Sequence, residues 1–374
     1  MNIPIPVNIF FSLAISFTIV YFIIPGIIKA AKFKKLFDVP NSRSVTKHAV
    51  PTLGGIAILA GFILGLILSS DSFRIDELKY LWAAVTVMFI IGLNDDILGA
   101  LAHRKFIIEL LMAFCLVVLG NYRFTDLHGI LGINHIGYFA GVVLSVIAIV
   151  GIINSLNLID GIDGLASGTG ILITISYGVW FLNYGDYIYA LTCFSLTGSL
   201  IAFFLYNVFG TTNKIFMGDT GSLVVGTIIA VLTLHFNEFI PANNTSAHGL
   251  PALSLAIIIV PIIDTLRVLF LRIMLKRSPF SADMNHLHHN MLRLTNNHLA
   301  SSLIIIITNG IVILLAFYQI DRLGNNILFL LLLFTGFLLA NIPVWILRLK
   351  DNNSLISREN KTISDLLTPK KKAG

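Results

Sequence analysis

Apolar runs of membrane-crossing length recur from near the first residue of this chain to about residue 347. A helix needs about 20 apolar residues to cross the hydrocarbon core of a bilayer. Eleven runs of this kind are read, at about 7–28, 51–69, 80–93, 105–120, 135–153, 164–183, 186–208, 221–237, 248–265, 301–320 and 326–347, the third of them short. Only 12% of the 374 residues are charged and 56% are hydrophobic, whereas a soluble domain carries about 25% charged residues. Such a chain cannot cover itself with polar surface, so lipid must be its solvent. The expected fold class is all-α, a polytopic integral membrane protein of about 11 transmembrane helices. Residues 1–350 are expected to form one transmembrane domain, and 351–374 a polar, basic tail without regular structure. No Lys or Arg precedes the first run and Lys32, Lys34 and Lys35 follow it, so it reads as a retained span and not as a signal peptide. Cys115 and Cys193 both lie in apolar runs. They suggest neither a disulfide framework nor a zinc site, and read as small buried hydrophobes.

Eleven spans place the two termini on opposite sides, and basic residues favour cytoplasmic loops. The loop after the first run, every second loop after it and the C-terminal tail together hold 21 of the 25 Lys and Arg residues. That set is read as cytoplasmic, with the N-terminus outside and the C-terminus inside. The net charge of +6 is spread over these membrane-flanking loops, which argues for anionic lipid and not nucleic acid as its counterpart. Leu266–Arg277 is basic between apolar residues and is expected to extend the ninth helix near the interface, with Pro261 kinking the helix before it.

The unusual polar residues fall on the same, cytoplasmic side. Asp95 and Asp96 close the third run. Two adjacent carboxylates at a helix C-terminus oppose the helix dipole and raise each other's proton affinity, so they suit a metal site or a base; a solvated loop pair is the bland alternative. Asn154, Asn157, Asp160 and Asp163 recur every third residue, an inclined polar ridge if helical. Acids near a bilayer are functional candidates by default, although a hydrogen-bond network between helices also explains such a ridge. Asp219, between Gly218 and Thr220-Gly221-Ser222, begins the eighth run, where free helix amides suit a phosphate; a simple N-cap is the alternative. Asp264 and Arg267 lie three apart, as a structural ion pair or with Arg267 turned to a substrate. His286, His288 and His289 suit hydrogen bonds to phosphate oxygens better than a zinc site. Acids for a hard cation and bases for phosphates together form equipment for phosphoryl transfer.

PTLGG (Pro51–Gly55), NDD (Asn94–Asp96), NSLNLIDGIDGLA (Asn154–Ala166), FMGDTGSL (Phe216–Leu223) and SPFSADMNHLHH (Ser278–His289), in this order and between these spans, resemble the polyprenyl-phosphate N-acetylhexosamine-1-phosphate transferases. The resemblance runs from about Lys47 to His289. It implies transfer of a sugar 1-phosphate from a UDP-N-acetylhexosamine to undecaprenyl phosphate, with release of UMP and dependence on Mg²⁺ or Mn²⁺. It implies that Asp95 and Asp96 are the acidic pair, with Asp95 as base, and that Asn157, Asp160 and Asp163 line the nucleotide and metal site. It further implies that Asp219 is the metal ligand, Lys47 the neighbour of the nucleotide or diphosphate, and His286, His288 and His289 the holders of the diphosphate. HLHH resembles the N-acetylglucosamine branch, which starts envelope polysaccharides at the inner membrane, more than the muramoyl-pentapeptide branch with its three consecutive histidines. That second branch has lysines shortly after its acidic pair, whereas Gly99 to His103 contain none and Arg104-Lys105 follow. Met284 stands where an arginine is expected. A homodimer is compatible with this reading. A proton-coupled transporter is the rival class, but its charges belong near mid-bilayer and not at one face.

Overall fold

The computed structural model describes residues 5–34, 36, 50–69, 75–99, 102–239, 250–276, 278 and 285–367. Helices dominate them: α1 (Ile5–Lys34), α2 (Gly54–Ser69), α3 (Ile75–Leu98), α4 (Ala102–Val118), α5 (Tyr138–Ile159), α6 (Leu165–Asn183), α7 (Tyr187–Phe209), α8 (Gly218–Glu238), α9 (Leu250–Met274), α10 (Leu287–Thr295) and α11 (His298–Leu367). Eight of the described helices are long and apolar enough to cross a bilayer, and α2 is a shorter apolar helix. Each of the eleven apolar runs falls on a helix, because in lipid a backbone must satisfy its own hydrogen bonds. The chain is a multi-pass, all-α membrane protein. Its last two runs share α11, which Gly324 breaks with a non-helical backbone (φ 67°, ψ 167°). The helix then continues to Leu367, into the stretch expected to lack regular structure. The ninth helix does extend past its run, to Met274, and contains Pro261.

One small sheet interrupts the helices. Strands β1 (Asp126–Ile130) and β2 (Ile133–His135) pair antiparallel, Asp126 opposite His135 and Ile130 opposite Ile133. Sequence patterning missed this hairpin because five and three residues are too few to show a period of two. It is tied to the break in α11: the Asn325 and Asn326 side chains donate to the carbonyls of His128 and Gly129, and the Asn326 side-chain oxygen Oδ1 accepts from Leu131 N–H at 2.6 Å. Glu238, at the end of α8, accepts from Thr125 N–H at 2.8 Å.

The bundle therefore has two distinct ends. The hairpin, the end of α8 and the break in α11 meet at one. At the other meet the C-terminal ends of α3, α5 and α7 and the N-terminal ends of α2, α4, α6, α8 and α11. The described polar residues singled out from the sequence gather at this second end. Helix α8 stands at the centre, almost wholly buried and packed on α3, α5, α2, α6 and α9. Hydroxyl pairs join its neighbours to it and to each other, as Tyr177–Thr233 at 3.0 Å and Thr174–Thr197 at 2.8 Å, the kind of interhelical bond that apolar surroundings favour. Cys193 is buried as expected, but Cys115 lies exposed on α4.

Candidate active site

Two of the sequence motifs meet through their backbones. Phe216 N–H donates to the Pro51 carbonyl at 2.8 Å, and Gly54 and Gly55 N–H donate to the carbonyls of Phe216 and Met217 at 3.0 Å. The start of α2 is thereby pinned against the start of α8. Gly55 packs on Gly221 so closely that a Cβ there would overlap backbone. PTLGG and FMGDTG are thus two halves of one junction that sets where α8 begins.

Asp96 completes that junction. Its carboxylate accepts the backbone N–H of Asp219 at 2.8 Å and of Thr220 at 2.9 Å, together with the Thr220 hydroxyl. The first amides of α8, expected to cradle a phosphate, are therefore taken by a carboxylate from α3. This also resolves the dipole conflict at the end of α3, because the charge of Asp96 faces the positive end of α8. Gly218 turns the chain into the helix with φ +69°, and a side chain there would strike the Thr52 carbonyl and Asp96 itself. Asp96, named a catalytic candidate from the sequence, is built into the scaffold and holds Asp219 in place.

Asp95 and Asp219 converge on a single cation. Lys105, in the first turn of α4, brings its ammonium 3.4 Å from Asp95 and 2.9 Å from Asp219. Asn157 of α5 donates to Asp219 and, at 2.8 Å, to the Ser222 hydroxyl. One turn after Lys105, the buried Glu109 accepts from Asn154, which fixes α4 against α5. Asp160 sits where α5 ends. Burial, followed by the negative charges of Asp219, Asp96 and Asp163, pushes its carboxyl well above the usual carboxylate range.

Asp163 stands apart from this convergence. Its carboxylate takes the Lys214 ammonium at 2.6 Å and lies 3.1 Å from His298, and the Ser302 hydroxyl donates to its carbonyl at 2.7 Å. Burial raises its proton affinity, but the bonds from His298 and Lys214 outweigh it and the carboxyl is held below the usual range. Asn207 accepts Gly164 N–H at 2.7 Å and donates to the Ile215 carbonyl at 3.0 Å. The turn carrying Asp160 and Asp163 is thus clamped to α7, α11 and the loop before α8.

The histidine group is divided as well. Asp264, buried in α9, receives Leu287 N–H at 2.8 Å, lies 3.0 Å from His286 Nδ1 and pairs with Arg267 at 3.2 Å. Arg267 also donates to the Asn285 carbonyl. Asp264, Arg267 and His286 therefore fasten the start of α10, and the ion-pair reading of Asp264 and Arg267 is the one realised. Next along α10, His288 packs its Nε2 edge against Gly161, where no Cβ fits, and so reaches the acidic turn. Burial, then His289 and His286 beside it, lower its pKa to about 3. It is a neutral imidazole and not a cation. Its Nδ1 is buried without a hydrogen-bond partner, and His289 lies beside it, ring centroids 4.2 Å apart. Lys47 lies outside the described residues.

Comparison with known proteins decides the family. The sequence model of glycosyl transferase family 4 matches residues 78–237. A protein of Pasteurella multocida (strain Pm70), named undecaprenyl-phosphate alpha-N-acetylglucosaminyl 1-phosphate transferase, is 33% identical over 264 residues, covering 69% of this chain and 71% of its own. A Haemophilus influenzae protein of the same name is 32% identical over 264 residues, 69% of this chain and 72% of its own. One from Escherichia coli (strain K12) is 27% identical over 276 residues, 71% of each chain. The chain belongs to glycosyl transferase family 4. As a member it is a phosphoglycosyltransferase. The stretch that matches the family runs from α3 to α8 and supplies Asp95, Asp96, Lys105, Asn157, Asp160, Asp163, Lys214 and Asp219.

A Mg²⁺-type cation fits this donor set. Such ions take oxygen ligands and are commonly held by one or two carboxylates plus substrate phosphates. Among the described residues no three His, Cys, Asp or Glu side chains gather in a ready-made metal cage. Asp219, beside Asp95 and with the Asn157 amide against it, is the carboxylate arrangement that suits an ion completed by phosphate.

Sequence reasoning missed Lys105, Glu109, Lys214, Asn207 and His298. Glu109 carried a signal, an acid inside an apolar run four residues after a lysine. Lys214, in the loop before α8, and His298, the first residue of α11, are single residues, and nothing local ties them to Asp163.

Proposed function

We propose that this enzyme transfers N-acetylglucosamine 1-phosphate from UDP-N-acetylglucosamine to undecaprenyl phosphate, with Mg²⁺ or Mn²⁺ as cofactor, and releases UMP. The observation that carries this reading is the meeting of Asp95 and Asp219, from two helices, at one cation. The donor and acceptor follow the name shared by the relatives. The site lies on the cytoplasmic face of the bacterial inner membrane, in keeping with the basic loops on that side, and the product starts an envelope polysaccharide.

Asp219 would hold the divalent ion, which when bound neutralises the diphosphate. Asn157 orients Asp219. Asp95 takes the proton from the carrier's phosphate, whose freed oxygen attacks the phosphorus that bears the sugar as the bond to UMP breaks. His288, neutral and seated on Gly161, offers a hydrogen bond near the acidic turn. Lys47 and His289 are assigned to the nucleotide and diphosphate.

The purified protein, given undecaprenyl phosphate and radiolabelled UDP-sugars one at a time, is expected to send label into the organic phase and release UMP with UDP-N-acetylglucosamine. Label entering lipid only from the UDP-muramoyl pentapeptide would overturn the assignment. Asp219→Asn is expected to lower turnover by about 10²–10³-fold, the usual cost of one charge-stabilising group.

A further inference from the structure

Lys105 holds the two carboxylates that the proposed chemistry needs free. Its ammonium lies 2.9 Å from Asp219 and 3.4 Å from Asp95, and its side chain is only 13% exposed. The rest of its helix is not free to move with it, because Glu109, one turn on, is buried and bonded to Asn154 of α5. The lysine stem, with four rotatable carbons, can swing alone. An ammonium and a divalent ion cannot occupy the same face of Asp219 at contact distance, since like charges there repel strongly.

We propose that Lys105 is a tethered competitor of the divalent cation: it neutralises Asp219 and Asp95 until the metal, arriving with its diphosphate, displaces it. The inference rests on the reading of Asp219 as metal ligand. Displacement does two things at once. It gives the metal its carboxylate, and it releases Asp95 from its ion pair so that Asp95 can accept the carrier's proton. The exchange also makes metal binding weak on its own and stronger with the substrate's phosphates, which then become the partner of the released ammonium. A site whose competent form is populated in a fraction of molecules shows an affinity reduced by that fraction.

The test is Mn²⁺ binding to the full-length protein in detergent, followed by the paramagnetic resonance signal of free Mn²⁺. Lys105→Met is expected to tighten the Mn²⁺ Kd by about tenfold, the factor for a pair closed about nine-tenths of the time. Lys105→Arg, which keeps the charge, is expected to stay near wild type. A Kd in Lys105→Met equal to or weaker than wild type overturns the proposal, since it makes Lys105 a bystander or a support of the site. Wild-type protein supplies a second measurement that needs no variant. Acylation of the Lys105 amine, read by peptide mass spectrometry, is expected to speed up several-fold when Mn²⁺ is added. An unchanged or slower rate overturns the proposal. Asp219→Asn separates the two levels. If Mn²⁺ binds wild type and this variant alike, or binds neither, the metal reading of Asp219 fails and the competition fails with it. If binding requires Asp219 and Lys105→Met still shows no tightening, the competition alone fails.

Discussion

Asp95 and Asp96 are adjacent, chemically identical and differently employed. Asp96 accepts two backbone amides of α8. Asp96→Asn turns an N–H donor toward those donors, so it is expected to cost about 1–3 kcal/mol of stability, the range for stranding a buried polar group. A thermal unfolding curve in detergent that matches wild type would count against the capping role. Asp95→Asn is expected to keep its unfolding temperature and lose turnover by about 10²–10⁴-fold, the range for a general base. The second pKa of a phosphate monoester is about 6, so that defect should shrink as pH rises above it and more carrier arrives deprotonated. A defect equally deep at every pH rules out the base role. Asp163 makes a third case. Its folded pKa lies below the unfolded value of 3.8, so its bonds to Lys214 and His298 stabilise the fold above that pH. That contribution is lost as pH falls through the lower folded value. Asp163→Asn should therefore be less stable than wild type by about 1.5–3 kcal/mol at neutral pH, the range for bonds to charged groups. The difference should close below about pH 4. A gap that persists in acid removes the ion pairs as its cause.

At the level of elements, the site is assembled by helix ends. Each of α3, α5 and α8 delivers its functional side chain in its first or last turn, where the backbone has unpaired groups and other elements reach it. Helix α10 is the shortest of these helices and depends most on one anchor. Asp264 binds its first amide, His286 and Arg267 together, and both members of the Asp264–Arg267 pair are at least 95% buried. Asp264→Asn leaves Arg267 buried against a neutral partner, and breaking a buried pair in this way costs about 3–5 kcal/mol. The double change Asp264→Asn with Arg267→Met should recover part of that loss, since a buried pair is often replaceable by apolar side chains. Unfolding measured on both variants decides it. A double variant less stable than the single one would mean that Arg267 holds α10 by its bond to the Asn285 carbonyl alone.

At the level of the molecule, the bundle has a chemical end and a structural end, joined by the central α8. The hairpin β1–β2 marks the structural end, and His135 on β2 is 91% exposed in its side chain. Counting basic residues puts this end outside. A cysteine at position 135, in a variant with Cys115 and Cys193 replaced, is expected to react with an impermeant thiol reagent in whole cells. Reaction only after permeabilisation would invert the topology and move the site away from the cytoplasm.

What the sequence by itself determined is what each segment carries in its own composition. An apolar run in lipid has to close its own backbone hydrogen bonds, so helices, their order and the gathering of polar motifs at alternate ends were all legible before any contact was known. The motifs also named most of the side chains that surround Asp219. The tertiary structure alone decided which partner each of them has. Successive residues on a helix point about 100° apart, so the two carboxyls of the acidic pair meet different neighbours, the backbone amides of α8 for Asp96 and the side chains of Lys105 and Asp219 for Asp95. The amides read as a phosphate cradle were taken by a side chain 123 residues away. The partners of Asp163, the Lys214 ammonium and the His298 ring, come from other elements. Electrostatic partnership depends on distance in space and on what else is buried there. Neither is written in a segment until the helices have packed.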